Sequence, residues 1–247
     1  MTGNMRTSDQ LAIESINRAF YDDLWSDARL IEPERFNTWP LVESLASKAR
    51  VCLEVAPGLR PRLPLQNTRF LDISAKAAAQ LHARGAQATV GLINAMPFGD
   101  ASFDFVCAFD IVEHVDDDDA ALMELSRVAV PGAPFLLSVP LHEHAWTAFD
   151  ELVGHRRRYV PSELVSKLER CGFAVERSAV YGMQPKSSRL LDIGMWFLDH
   201  HRERAMWWYN RIFMPLGLRM QKPLVFADGL IDDDKVDTVL ILCRKQT

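Results

Sequence analysis

Between Val51 and Pro140, short apolar runs of strand length alternate with helical stretches, and this alternation constrains the fold more than any other feature of the chain. The runs are VCLEVAPG (51–58), RFLDIS (69–74), ATVGLI (88–93), FDFVCAF (103–109) and PFLLSVP (134–140). SAKAAAQLHARG, closed by Gly85, and DDDAALMELSRV fill two of the gaps at helical spacing. Strands apolar on both faces, joined by helices, describe βαβ units around a buried parallel sheet. The predicted class is α/β.

The flanks extend this pattern. Residues 1–48 read as an N-terminal helical layer, with Leu11, Ile13, Ile16, Phe20 and Leu24 near helical spacing. PSELVSKLERCGF begins another helix, with Pro161 suited to its first turn. AVERSAVYG gives a sixth strand and VDTVLILCR a seventh. The stretch 183–235 between them is far too long for a plain antiparallel connection and is rich in Trp, Met and Phe. It reads as a helical cap. The expected organisation is therefore a single domain over 1–247: helical layer 1–48, core 50–182, cap insert 183–235 and last strand 236–247.

Ligands of open α/β sheets bind at the carboxyl ends of the strands. Glu54 and Gly58 fall there on strand one, and Asp72 ends strand two. An acid in Asp72's place can accept both hydroxyl hydrogens of a ribose. Without G-x-G-x-x-G, nothing cradles a pyrophosphate, which disfavours a dinucleotide. The alternative for Asp72 is an acid capping the next helix, and for Gly58 an ordinary turn.

The ordered series, extended through MPFGDASFDFVCAFDIVEHV (96–115) and ELSRVAVPGAPFLLSVP (124–140), resembles the class I S-adenosylmethionine-dependent methyltransferases. The resemblance implies a Rossmann-like, mostly parallel seven-stranded sheet with an antiparallel last strand, N-terminal helices and a helical insert before that strand. It implies S-adenosylmethionine as cofactor and S-adenosylhomocysteine as product. Glu54, Ala56, Pro57 and Gly58 would surround the methionine part, and Asp72, with Ile73 beside it, would hold the ribose. Leu92, Ile93 and Asn94 would border the adenine, and Phe109 with Asp110 would pass the sulfonium. The sequence departs from the family at two places. Ala56 and Arg60 flank Gly58 where further glycines are usual, and Leu92 replaces an acid near the adenine.

Candidate catalytic groups are Asp110, His142, His144 and His155, any of which could orient an acceptor or take its proton. Asp110, Glu113 and His114 stand at i, i+3 and i+4, so one helical face could present all three to a metal. The preferred reading is that Glu-His shapes the turn, and no metal is assigned. Arg156–Arg158 could hold an acceptor anion or be solvated charges. Tyr21, Trp25 and the aromatic insert would cover the pocket, or the insert would pack on the domain or on a second copy.

A net charge of −5 disfavours a nucleic-acid partner: DNA is excluded, and RNA is carried only as a rival acceptor through the Asp-x-x-Glu-His and triple-Arg features. Four cysteines without metal spacing, a polar N-terminus and no long apolar run predict a cytoplasmic protein that does not insert stably into a membrane, as monomer or homodimer. The expected function is methyl transfer to an oxygen of a small secondary-metabolite, quinone-like or polyketide-like compound. A module that binds the cofactor without turnover is the other rival.

Overall fold

The computed structural model describes residues 28–182, 194, 196–197 and 200–247, apart from the side chains of 152, 202, 203 and 206. The expected helix around Leu11–Leu24, Tyr21, Trp25 and the first part of the insert lie outside the described residues.

The core is one eight-stranded sheet in the order β3-β2-β1-β4-β5-β8-β6-β7. Its strands are β1 (Cys52–Val55), β2 (Thr68–Asp72), β3 (Gln87–Val90), β4 (Phe105–Phe109), β5 (Pro134–Pro140), β6 (Phe173–Tyr181), β7 (Phe226–Asp228) and β8 (Thr238–Lys245). β1 to β5 pair in parallel. β8 runs antiparallel between β5 and β6. The expected mostly parallel sheet with a reversed last strand is present.

The strand count needs correction from seven to eight. β7 lies inside the stretch expected to be wholly helical and pairs antiparallel with the outer edge of β6. Three residues with two exposed side chains carry too little apolar alternation to be legible as a strand.

Why these segments form these elements is visible locally. β1, β4 and β5 are buried on both faces, as central parallel strands must be. Helix α2 (Ala75–Ala83) starts where the Ser74 hydroxyl accepts from the Ala77 N–H, and α3 (Asp118–Val128) starts where Asp117 does the same for Ala120. α3 buries Leu122, Leu125 and Val128 in the main core with Val106, Phe135 and Ile241. On the other face α1 (Trp39–Ala46) sets Val42 against Phe105, Leu136 and Leu240.

Helix α5 (Pro161–Arg170) leads into β6, and the described part of the insert holds α6 (Arg202–Trp208), a π turn (Tyr209–Phe213) and α7 (Met214–Met220). Met214 and Leu218 pack on Phe36, and Asn37 bonds Gln221 and the Lys222 carbonyl. This part of the insert therefore docks on the segment that precedes α1. Among the described residues no helix is long and apolar enough to cross a membrane. All four cysteines are buried free thiols.

Candidate functional site

The loop after β1 is built by one buried acid. Glu54 accepts from the backbone N–H of Arg62 (2.8 and 3.0 Å) and of Leu63 (2.8 Å). Burial pushes its carboxyl pKa up to about 7, against the pull of those donors. Glu54 was expected beside the cofactor's methionine part; its oxygens instead fasten the far end of the loop. Replacing it with Ala orphans two buried amides and should cost about 1–3 kcal/mol of unfolding free energy, read from urea melts.

The near end of the same loop approaches β2. Ala56 (φ 54°) and Gly58 (φ 53°) both take left-handed backbone. This lets Ala56 fill a place where glycine is usual, at some conformational cost. Gly58 donates its N–H to Asp72 Oδ2 (2.9 Å), and Ser74 donates to Oδ1 (2.8 Å). Asp72 thus ties the β1 loop to the β2 end. It is buried at the carboxyl edge of the sheet, the expected position. Ile73 is half-buried beside it.

After β3 the chain turns tightly. A Cβ on Gly91 would sit 2.7 Å from Leu71 Cδ1, so this turn has no room for a side chain. Leu92 then bridges to Ala95. The Ile93 side chain packs into the main core, whereas Leu92 is half-buried and Asn94 exposed. Of the three residues expected around adenine, only Leu92 and Asn94 present side chains outside the core.

Asp110, directly after β4, is the exposed carboxylate of the site. Its φ of 49° turns the chain sharply out of the strand. Ser138 of β5 holds it from both sides: the hydroxyl donates to Oδ1 (2.7 Å) and accepts from the Asp110 N–H (3.0 Å). Although open to solvent, Asp110 is crowded by protein walls that displace water. That desolvation raises its pKa above the ordinary 3.8, against the Ser138 hydrogen bond and the Arg62 guanidinium. Phe109 lies 6.0 Å from Tyr181, whose hydroxyl accepts from Arg62 Nε (3.2 Å) and Nη2 (3.1 Å). Arg62 in turn covers the Phe36 ring at 3.6 Å.

Ser138, Arg62 and Tyr181 were not singled out from sequence. The one available signal was Ser138, a polar residue inside an otherwise apolar strand. Arg62 and Tyr181 gave none, since only the fold brings them together.

The segment after β5 divides the remaining candidates. His142 (φ 62°) points its Nε2 at the Asp233 carbonyl (3.0 Å), pinning the approach to β8. His144 is exposed. His155 is drawn inside: Nδ1 meets Asp150 Oδ1 at 2.7 Å and Nε2 lies 3.8 Å from Glu113 Oε1. Asp150 is a hub. It caps α4 (Ala148–Val153) through Thr147 and receives two hydrogen bonds from the fully buried Arg158 guanidinium. Arg158 also reaches Asp237 (2.7 Å), Arg157 pairs with Asp118, and Arg156 pairs with Asp116. The triple arginine is thus committed to internal and surface carboxylates.

The proposed i, i+3, i+4 face is corrected as well. Asp110 precedes the 3-10 turn Val112–His114 and bonds Ser138 instead. The ligating atoms that converge are those of Glu113, His114 and His155.

Comparisons with known proteins bear on the domain and the fold. Residues 55–137 match a methyltransferase domain family. A probable S-adenosylmethionine-dependent methyltransferase from Mycolicibacterium smegmatis is 33% identical over 110 residues, covering 43% of each chain. The match thus spans less than half the length of that relative. A possible histamine N-methyltransferase structure from Thermotoga maritima superposes with a TM-score of 0.59 at 16% identity, over 96% of this chain and 97% of that one. A phosphoethanolamine N-methyltransferase 2 from Haemonchus contortus, solved with phosphomonomethylethanolamine and S-adenosylhomocysteine, gives 0.56 at 16% identity, over 95% and 58%. The sheet order is thus shared with solved methyltransferase structures, and residues 55–137, which carry the left-handed loop after β1 and the strand-end acid of β2, resemble a methyltransferase domain.

Proposed function

We propose that the protein moves a methyl group from S-adenosylmethionine to a hydroxyl oxygen of a small molecule, of secondary-metabolite, quinone-like or polyketide-like type. The observation that carries this reading is Asp110: an exposed carboxylate with raised proton affinity, clamped by Ser138 at the end of β4. Methyl transfer is an in-line displacement, so the protein's work is to align the acceptor and, for a hydroxyl, to take its proton. Asp110 supplies the proton acceptor, and Phe109, Tyr181 and the Phe36-covered Arg62 wall the space beside it. The cofactor is held by the Asp72 carboxylate and the loop 56–58, with Leu92 and Asn94 at the far edge. When bound, it supplies the electrophilic methyl.

The commitment of Arg156, Arg157 and Arg158 to carboxylates speaks against an RNA acceptor, because the basic cluster that motivated one is neutralised. Relatives named as N-methyltransferases make amines the second acceptor class to screen.

Calorimetric titration with S-adenosylhomocysteine tests the cofactor site. Wild-type protein should bind in the micromolar range. Asp72→Ala should weaken binding about 100-fold, since it removes a ribose acceptor and releases Gly58. No binding by the wild type would favour the module without turnover. A screen of hydroxyl and amine acceptors then tests the oxygen assignment, which fails if only amines are methylated.

A further inference from the structure

Glu113, His114 and His155 bring a carboxylate oxygen and two imidazole nitrogens within 4.8 Å of one another. The cluster joins two separate segments, the 3-10 turn after β4 and the loop after α4. Three features distinguish it from an ordinary buried polar group.

Glu113 is fully buried, and neither of its carboxylate oxygens has a hydrogen-bond partner. Such a group is costly unless something of opposite character sits beside it. The nearby His155 ring does not satisfy it. Its Nδ1 lies 2.7 Å from Asp150 Oδ1, which holds the ring with Nε2 on the side of Glu113. The 3.8 Å gap is too wide to share a proton. It is close to the roughly 3.4 Å separating tetrahedral ligand atoms with metal bonds of about 2.1 Å. His114 is oriented in the same way, by a hydrogen bond to the Gly154 backbone. Imidazoles held from one side by a carboxylate or a backbone carbonyl are the usual outer arrangement of a metal site, and here one ligand atom from each of the three residues lies within 4.8 Å of the others.

We propose that Glu113, His114 and His155 bind a divalent first-row ion of the zinc class, oriented by Asp150 and Gly154. Two nitrogens and one carboxylate oxygen suit that class, and a fourth position remains for water. The ion clamps the turn after β4 to the loop beside it, which the Arg156 N–H to Glu113 C=O bond (2.8 Å) already joins.

The test uses full-length protein without a histidine tag, stripped with chelator and dialysed against Zn²⁺ or Co²⁺, with and without S-adenosylhomocysteine. The expected result is one ion per chain, a tetrahedral Co²⁺ absorption band in the visible, and a higher melting temperature with Zn²⁺. Glu113→Gln and His155→Ala should each weaken Zn²⁺ binding by about 100-fold or more, while His82→Ala, on α2, leaves it unchanged. Absence of stoichiometric binding and of the Co²⁺ band in the wild type overturns the proposal, whatever the variants do. So does binding that both variants retain.

Discussion

Asp110→Asn should lower kcat/KM on a true hydroxyl acceptor by about 10²–10⁴-fold, the range general-base catalysis supplies. The substitution keeps the shape and the partner for Ser138 but removes the proton acceptor. S-adenosylhomocysteine affinity should change far less, because Asp72 and the loop 56–58 remain. The pH profile separates a base from a merely structural residue. A base works when unprotonated, so the rate rises with pH through its pKa. Desolvation places that inflection above the ordinary 3.8 of an aspartate. In Asp110→Asn this limb should vanish. In Ser138→Ala it should move to higher pH, because the lost hydrogen bond favoured the ionised form. A variant at full rate with an unchanged profile removes Asp110 from the mechanism.

The second large effect is on stability. Asp150→Ala should lower the unfolding free energy by about 3–5 kcal/mol, the cost of stripping one partner from a buried ion pair. Arg158, fully buried, would keep only Asp237 and the Leu141 carbonyl. α4 would lose its cap and His155 its orienting acceptor. Urea melts at pH 7 measure the loss. Removing both charges, as Asp150→Ala with Arg158→Met, should recover part of it, since no charge is then stranded. The wild type should show the matching pH dependence. The hydrogen bonds from His155 and Arg158 hold the Asp150 carboxyl well below the usual aspartate range, despite burial. Its contribution is therefore complete above the unfolded value and lost only as pH falls through the depressed folded one.

What could be read from sequence follows from range. β1, β2, β4 and β5 are legible as apolar runs, and Asp72 and Asp110 mark the ends of β2 and β4 by position alone. The roles of Glu54 and His142 were not, because their partners stand elsewhere in the chain or are backbone groups that sequence does not display. Glu54 looked like a ligand contact but fastens Arg62 and Leu63. His142 looked like a base but anchors to Asp233. The Asp-Glu-His spacing suggested a helix face where the chain forms a single 3-10 turn. The cluster that does form has His155, from the loop after α4, in place of Asp110.

The place of β8 bears on how the chain is made. β5 and β6 do not pair with each other; both pair with β8. During synthesis β5 is complete at Pro140, yet its second edge stays bare until Thr238 onward emerges. β6, complete at Tyr181, has both native neighbours still to come, β7 from Phe226 and β8 from Thr238. Two apolar edges are thus open together on the ribosome, the condition under which strands pair with the wrong chain. Closure of the sheet is a late, long-range event, slow by its topology. Expression yield should therefore respond more to chaperone supply and growth temperature than native stability alone would indicate.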